Sequence, residues 1–289
     1  MNFEGSEKYY LSPELASIVN MAIKMEKPLL LTGEPGTGKT QLAFEISKSI
    51  GMPLEIMRAK STIKGEESCY IQDTVLRLND ARFGAAETKR DVNNFFDYVI
   101  WGPIGRAFLS DERVVLLIDE IDKTESDVQD NLLDVLEDSE FTIREVNKVI
   151  KAKHKPVIII TSNAKRELSD PFLRRCFCHH IAFPKADEMA QIVKLHFPEI
   201  NENLLETALK LFYELRQRGY EKAPATSELL NWLEALQITE NVDLNDKDNL
   251  PFIGTLLKRT ADILSFRKKD ERLNATNAVT DLSTTKMVY

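Results

Sequence analysis

Residues Gly33-Glu34-Pro35-Gly36-Thr37-Gly38-Lys39-Thr40 follow the spacing Gly-x-x-x-x-Gly-Lys-Thr, a set of residue types suited to holding a nucleotide triphosphate. Glycines let successive backbone N–H groups turn inward on a β-phosphate, and the positive end of a following helix adds to the attraction. Lys39 then reaches the β- and γ-phosphates, and the Thr40 hydroxyl ligates Mg²⁺. These eight residues and Gln41 form the expected nucleotide-binding set. A second group, Asp119-Glu120, closes the apolar run Val114 to Ile118. At the carboxyl end of a strand, Asp119 is placed to hold Mg²⁺ or a water bound to it. Strand alternation puts Glu120 on the opposite side of the pleat, where it can polarise the attacking water. Asn163 follows the run Val157 to Ile160 and is a candidate to orient that water or touch the γ-phosphate, although Ser-Asn is also an ordinary turn pair. Arg174 and Arg175 end a short segment that begins Asp170-Pro171. An arginine there compensates a helix dipole, reaches a nucleotide on the next subunit to stabilise phosphoryl transfer, or does both.

These groups need strands and helices to place them. Pro28 to Leu31, Pro53 to Arg58, Arg113 to Ile118, Val157 to Thr161 and Cys178 to Phe183 read as strands. Helical spacing separates them, at Leu15 to Ile23 after the start signal Ser12-Pro13, at Thr40 to Ile50, at Pro103 to Leu109 and at Asp127 to Leu136. The expected fold is therefore α/β, a parallel sheet with helices on both faces, over residues 1–183. Residues 59–100 loosen into an insertion with a hairpin and loops, including an alternating piece at Val75, Arg77 and Leu78; Phe141 to Ile150 reads as a further hairpin. After Pro184 only helical periodicity remains, at Ala186 to His196, Asn203 to Arg218, Ser227 to Ile238 and Phe252 to Phe266, which predicts a small all-helical domain over 184–266. Residues 267–289 read as a polar, weakly structured tail.

The 289 residues suit one large and one small domain, with 43% hydrophobic and 29% charged residues, as in soluble globular proteins. A net charge of −8 argues against a chain that coats nucleic acid. The N-terminal residues carry no signal-like apolar core, and no apolar run is long enough to span a membrane, so a cytoplasmic location is expected. Three cysteines give no disulfide framework. Cys176-Phe177-Cys178-His179-His180 invites a zinc reading, but Cys-x-Cys is tighter than the usual knuckle, and the stretch Phe177 to Phe183 reads more simply as a strand.

The ordered set Gly-Glu-Pro-Gly-Thr-Gly-Lys-Thr, Leu-Leu-Ile-Asp-Glu-Ile-Asp-Lys, Thr-Ser-Asn and Leu-Arg-Arg-Cys-Phe resembles an AAA+ ATPase, specifically the MoxR group and its CoxD-like branch. The resemblance spans about Leu11 to Ile238 and includes Ala223 to Trp232 in the helical part. It implies ATP and Mg²⁺ as ligands, a hexameric ring with ATP between subunits, and a chaperone-like role on partners that often contain a von Willebrand factor A domain. In its terms Asn163 resembles sensor 1, and Arg175 or Arg174 the arginine finger. One departure is that Thr226, Ser227 and Glu228 stand where many relatives place a sensor-2 arginine. Two other readings keep the nucleotide: a nucleic-acid-linked motor resembling McrB-type restriction subunits or helicase loaders, and an assembly switch with little turnover.

Overall fold

Strand β1 (Leu29–Thr32), four residues long, lies at the inner edge of the loop glycines and is preceded by helix α1 (Pro13–Met25). The start of α1 is set by Ser12, whose hydroxyl accepts the Leu15 N–H at 3.2 Å, and by Pro13 in the first turn. The chain continues through α2 (Lys39–Ile50), β2 (Leu54–Arg58), β3 (Tyr70–Gln72), α3 (Thr74–Phe83), β4 (Val99–Trp101), α4 (Pro103–Leu109), β5 (Val115–Asp119) and α5 (Ser126–Asp138). Then come β6 (Glu140–Ile143), β7 (Lys148–Lys151), β8 (Val157–Ser162), α6 (Asp170–Arg175) and β9 (Phe177–His180). This computed structural model describes residues 3–6, 9–61, 65–84, 90–164, 166–239, 244, 246 and 249–267. Apart from Arg267, the expected tail lies outside the described residues.

The main sheet has five parallel strands in the order β2-β5-β8-β1-β9. Its central strands are apolar on both sides because both faces are covered. Leu30, Leu116, Ile118, Ile158 and Ile160 face one core with Phe108, Leu132 and Leu133. Their neighbours Leu29, Leu31, Val115, Leu117, Val157 and Ile159 face the other, with Val19, Leu42 and Ile46. At about 1.5–3 kcal/mol for each fully buried aliphatic side chain, this two-sided burial is the main force holding the sheet between its helices.

The insertion differs from the sequence expectation. Val75, Arg77 and Leu78 do not alternate in a strand but lie in α3, started by Asp73, whose carboxylate accepts the Leu76 N–H at 2.8 Å. None of the α3 residues is buried, so its apolar side chains mark no inward stripe and its sequence carries no helical signature. The strands flanking it, β3 and β4, pair antiparallel, with Ile71 opposite Ile100. The second hairpin, β6 with β7, pairs Phe141 with Ile150. Tyr70 ties the two hairpins together: its hydroxyl donates to Glu145 Oε2 at 2.8 Å, its ring stacks on Phe141, and Phe141 also meets Trp101 and Phe108.

Contacts divide the chain into Met1–Phe183 and Pro184–Tyr289. The second unit holds α7 (Ala186–His196), α8 (Glu202–Gln217), α9 (Thr226–Ile238) and α10 (Ile253–Leu256), packed around Phe212, Leu229, Trp232 and Leu233. The helix expected over Phe252 to Phe266 is broken after Leu256 and resumes at 260–267. The break lets Leu256 and Leu257 both be buried, whereas a continuous helix would turn them about 100° apart. The strand expected to run to Phe183 stops at His180.

Candidate active site

Parallel pairing delivers several strand ends to one edge of the sheet. β8 lies between β1 and β5, with Thr32 beside Ser162 and Ile118 beside Ile160. The glycine loop, Asp119 and Asn163 therefore leave the sheet side by side, the usual position of ligand sites in open α/β sheets.

The loop requires its glycines. Gly33 has φ 150°, and a side chain there would run into the Ile181 carbonyl oxygen. Gly38, with φ 87°, is the N-cap of α2 and offers no side-chain cap, which leaves the first-turn N–H groups of that helix suited to an anion. Thr37 braces the turn by donating to Glu34 O at 2.9 Å, while Glu34, Pro35 and Gly36 form its exposed tip. Lys39 is only 5% exposed and donates from Nζ to Gly33 O at 2.9 Å and Glu34 O at 2.8 Å. Burial pulls its pKa down, opposed by the charges of Asp122, Asp119, Glu120 and Glu34. Gln41 is exposed and donates along α2 to Glu45 at 2.6 Å.

Asp119 Oδ1 accepts from Thr40 Oγ1 at 2.8 Å and from Thr161 Oγ1 at 2.7 Å. Glu120 corrects the alternation argument: β5 ends at Asp119, and Glu120 has left the pleat for the left-handed region at φ 58°, ψ 49°. Its N–H donates to Thr161 Oγ1 at 2.9 Å. Its carboxylate accepts from Asn163 Nδ2 at 3.0 Å through Oε1 and from Lys123 Nζ through Oε2. That contact with Glu120 raises the Lys123 pKa. The Asn163 N–H donates in turn to Asp122 Oδ1 at 3.1 Å, and Asp122 is 2% exposed.

The two arginines part company. Helix α6 is capped by Ser169, which accepts the Phe172 N–H and donates to Asp130 at 2.7 Å. Arg175 pairs with Asp134 at 2.7 Å and Glu137 at 3.2 Å, both on α5 of its own chain. Arg174 is exposed and has no hydrogen bond or ion pair among the described residues. Thus Thr40 meets Asp119 and Glu120 meets Asn163, while Arg174 and Arg175 join neither contact. Thr161, Asp122 and Lys123 belong to the site but escaped the sequence reading. Their signal was proximity in sequence to the acid pair and Asn163, usable only once β5 and β8 were known to be neighbours.

The donor chemistry fits Mg²⁺ and a triphosphate. A hydroxyl and a carboxylate oxygen 2.8 Å apart match a cation that takes one or two protein oxygens and keeps several waters. Lys39 and the uncapped start of α2 supply the positive environment for phosphate. Among the described residues no cluster of three or more His, Cys, Asp or Glu side chains is arranged to hold a metal.

Residues 28–176 match the family described as AAA domain (dynein-related subfamily). Among curated proteins, the chain is 22% identical over 248 residues to mouse von Willebrand factor A domain-containing protein 8, covering 78% of this chain and 12% of that protein. It is 24% identical over 218 residues to Replication factor C small subunit 1 of Pyrobaculum aerophilum, covering 74% of this chain and 53% of that one. The chain therefore spans about half of one relative and a small part of the other.

Proposed function

This chain belongs to the dynein-related subfamily of AAA domains, and from that premise we propose that it is an ATP-hydrolysing motor of the MoxR group, assembled as a hexameric ring, that remodels a protein partner bearing a von Willebrand factor A domain. The observation that carries the ATPase reading is the direct contact of Glu120 with Asn163 beside the contact of Thr40 with Asp119. Water attacks the γ-phosphorus, the bond to the β–γ bridging oxygen breaks, and the water proton passes to the Glu120 carboxylate. Asn163 and Lys123 fix the aim of that carboxylate. Two Lys39 N–H groups hold the loop and the third is left for a phosphate oxygen. Thr40 and Asp119 would hold Mg²⁺, which when bound would supply charge neutralisation at the phosphates. Arg174, exposed and unengaged among the described residues, suits the finger that reaches a neighbour's nucleotide, and Arg175 suits the tether that holds α6 on α5. The partner reading draws on the relative whose name declares a von Willebrand factor A domain in one polypeptide with a stretch similar to this chain.

Glu120→Gln protein should bind ATP with near-normal affinity, hydrolyse it at least about 100-fold more slowly, and retain its partner in an ATP-dependent pull-down. Turnover near wild type would remove Glu120 from the role given to it. The replication factor C relative favours a second reading, a nucleic-acid-linked motor, which salt-dependent DNA binding by the assembled protein would support.

A further inference from the structure

We infer that Thr161 is the positioning residue of this site, a single buried hydroxyl that aims both acids at once. The inference rests on the ATPase reading above and adds a residue to it.

Thr161 is 1% exposed and sits one residue from the end of β8, the strand next to β5. A hydroxyl has one hydrogen to give and can accept at its lone pairs. Here both functions are committed. The Glu120 N–H can only donate, so Thr161 Oγ1 accepts it at 2.9 Å. The Thr161 hydrogen then goes to Asp119 Oδ1 at 2.7 Å, because an ionised carboxylate only accepts. The same Asp119 oxygen also takes the Thr40 hydroxyl, so Thr161 fixes the carboxylate against which the candidate metal ligand is set.

The hold on Glu120 matters because its backbone is in a conformation that L-residues avoid. Such a conformation persists only when its surroundings over-determine it, and the Thr161 contact is the hydrogen bond made by the Glu120 N–H. Losing it would free the peptide that points the Glu120 carboxylate toward Asn163. Thr161 acts through Asp119 and Glu120 and needs no contact with nucleotide.

The test compares Thr161→Val, nearly the same shape without the hydroxyl, with Thr161→Ser, which keeps the hydroxyl, and with Thr161→Ala as a second hydroxyl-free variant. Outer-shell partners of metal ligands typically govern activity by about 10–100-fold, so Thr161→Val should lose that much in kcat for Mg²⁺–ATP. Binding of a fluorescent ATP analogue in EDTA should stay within about threefold of wild type, while the gain in affinity on adding Mg²⁺ should shrink. Thr161→Ser should restore both kcat and the Mg²⁺-dependent gain. Should Thr161→Val not fold, Thr161→Ala measured against Thr161→Ser decides the same point. Turnover of Thr161→Val within about threefold of wild type, or equal impairment of the Ser and Val variants, overturns the inference. Absence of turnover in wild type alongside intact ATP binding would instead overturn the ATPase reading beneath it.

Discussion

Glu120 is specialised in its backbone as well as in its carboxylate. A non-glycine residue in the left-handed region costs about 1 kcal/mol, and here three contacts offset it: Thr161 on the N–H, Asn163 on Oε1 and Lys123 on Oε2. In the proposed role of general base, a carboxylate held from three sides would be directed before any water arrives, which is how preorganised sites avoid reorganisation during reaction. The cysteines show the opposite condition. Burial pushes the thiols of Cys69 and Cys176 up to about 12, so at pH 8 their thiolate fraction is on the order of 10⁻⁴. Cys178, also raised by burial, is exposed. Brief treatment of native protein with iodoacetamide at pH 8, followed by peptide mass spectrometry, should label Cys178 first, and Cys69 and Cys176 should react readily only after unfolding. The arginines separate at this scale too. Arg175→Ala should lower stability by up to about 1 kcal/mol, since its half-exposed ion pairs are solvent-screened, whereas Arg174→Ala should leave melting unchanged within about 0.5 kcal/mol.

Among the elements, those that bury a face were readable and those that do not were missed. The runs Leu29 to Leu31, Val115 to Ile118 and Val157 to Ile160 named their strands, because central parallel strands are apolar on both sides. Helix α3 exposes Val75, Leu78 and Phe83 and left no pattern to read, although Asp73 before Thr74 was a usable start signal. Much of the candidate site was legible because Gly33, Asp119, Glu120 and Asn163 close or directly follow apolar strands, and Lys39 and Thr40 open the helix after the glycine loop. The Thr161 and Asp122 contacts were not, since they depend on the register between β5 and β8, which one sequence does not encode locally. Gly33 carries a prediction for the element it starts. Ala at this position would demand φ near 150° and would collide with the Ile181 carbonyl oxygen. Gly33→Ala should cost about 2 kcal/mol or more, read as a lower melting temperature, and nucleotide binding should fall with it.

At the scale of the whole molecule, the arginine assignment becomes a statement about neighbours. Subunits with Arg174→Ala keep their own acids, and subunits with Glu120→Gln keep their own arginine. Each alone should be nearly inactive. Co-assembled, they should recover part of the wild-type ATPase rate, because some interfaces then combine an intact Glu120 with an intact Arg174 from next door. Lack of recovery in mixtures shown by mass to have co-assembled would place Arg174 outside the active interface. Among the described residues no helix is long and apolar enough to cross a membrane. Tyr70, lastly, has a mechanical meaning. It joins the two hairpins through Glu145 and a run of rings that ends on Phe108 of α4, so neither hairpin can shift without breaking a hydrogen bond or a ring contact of the other. Close-packed interiors compress little, so the two hairpins and α4 share one packed seam rather than three separate surfaces.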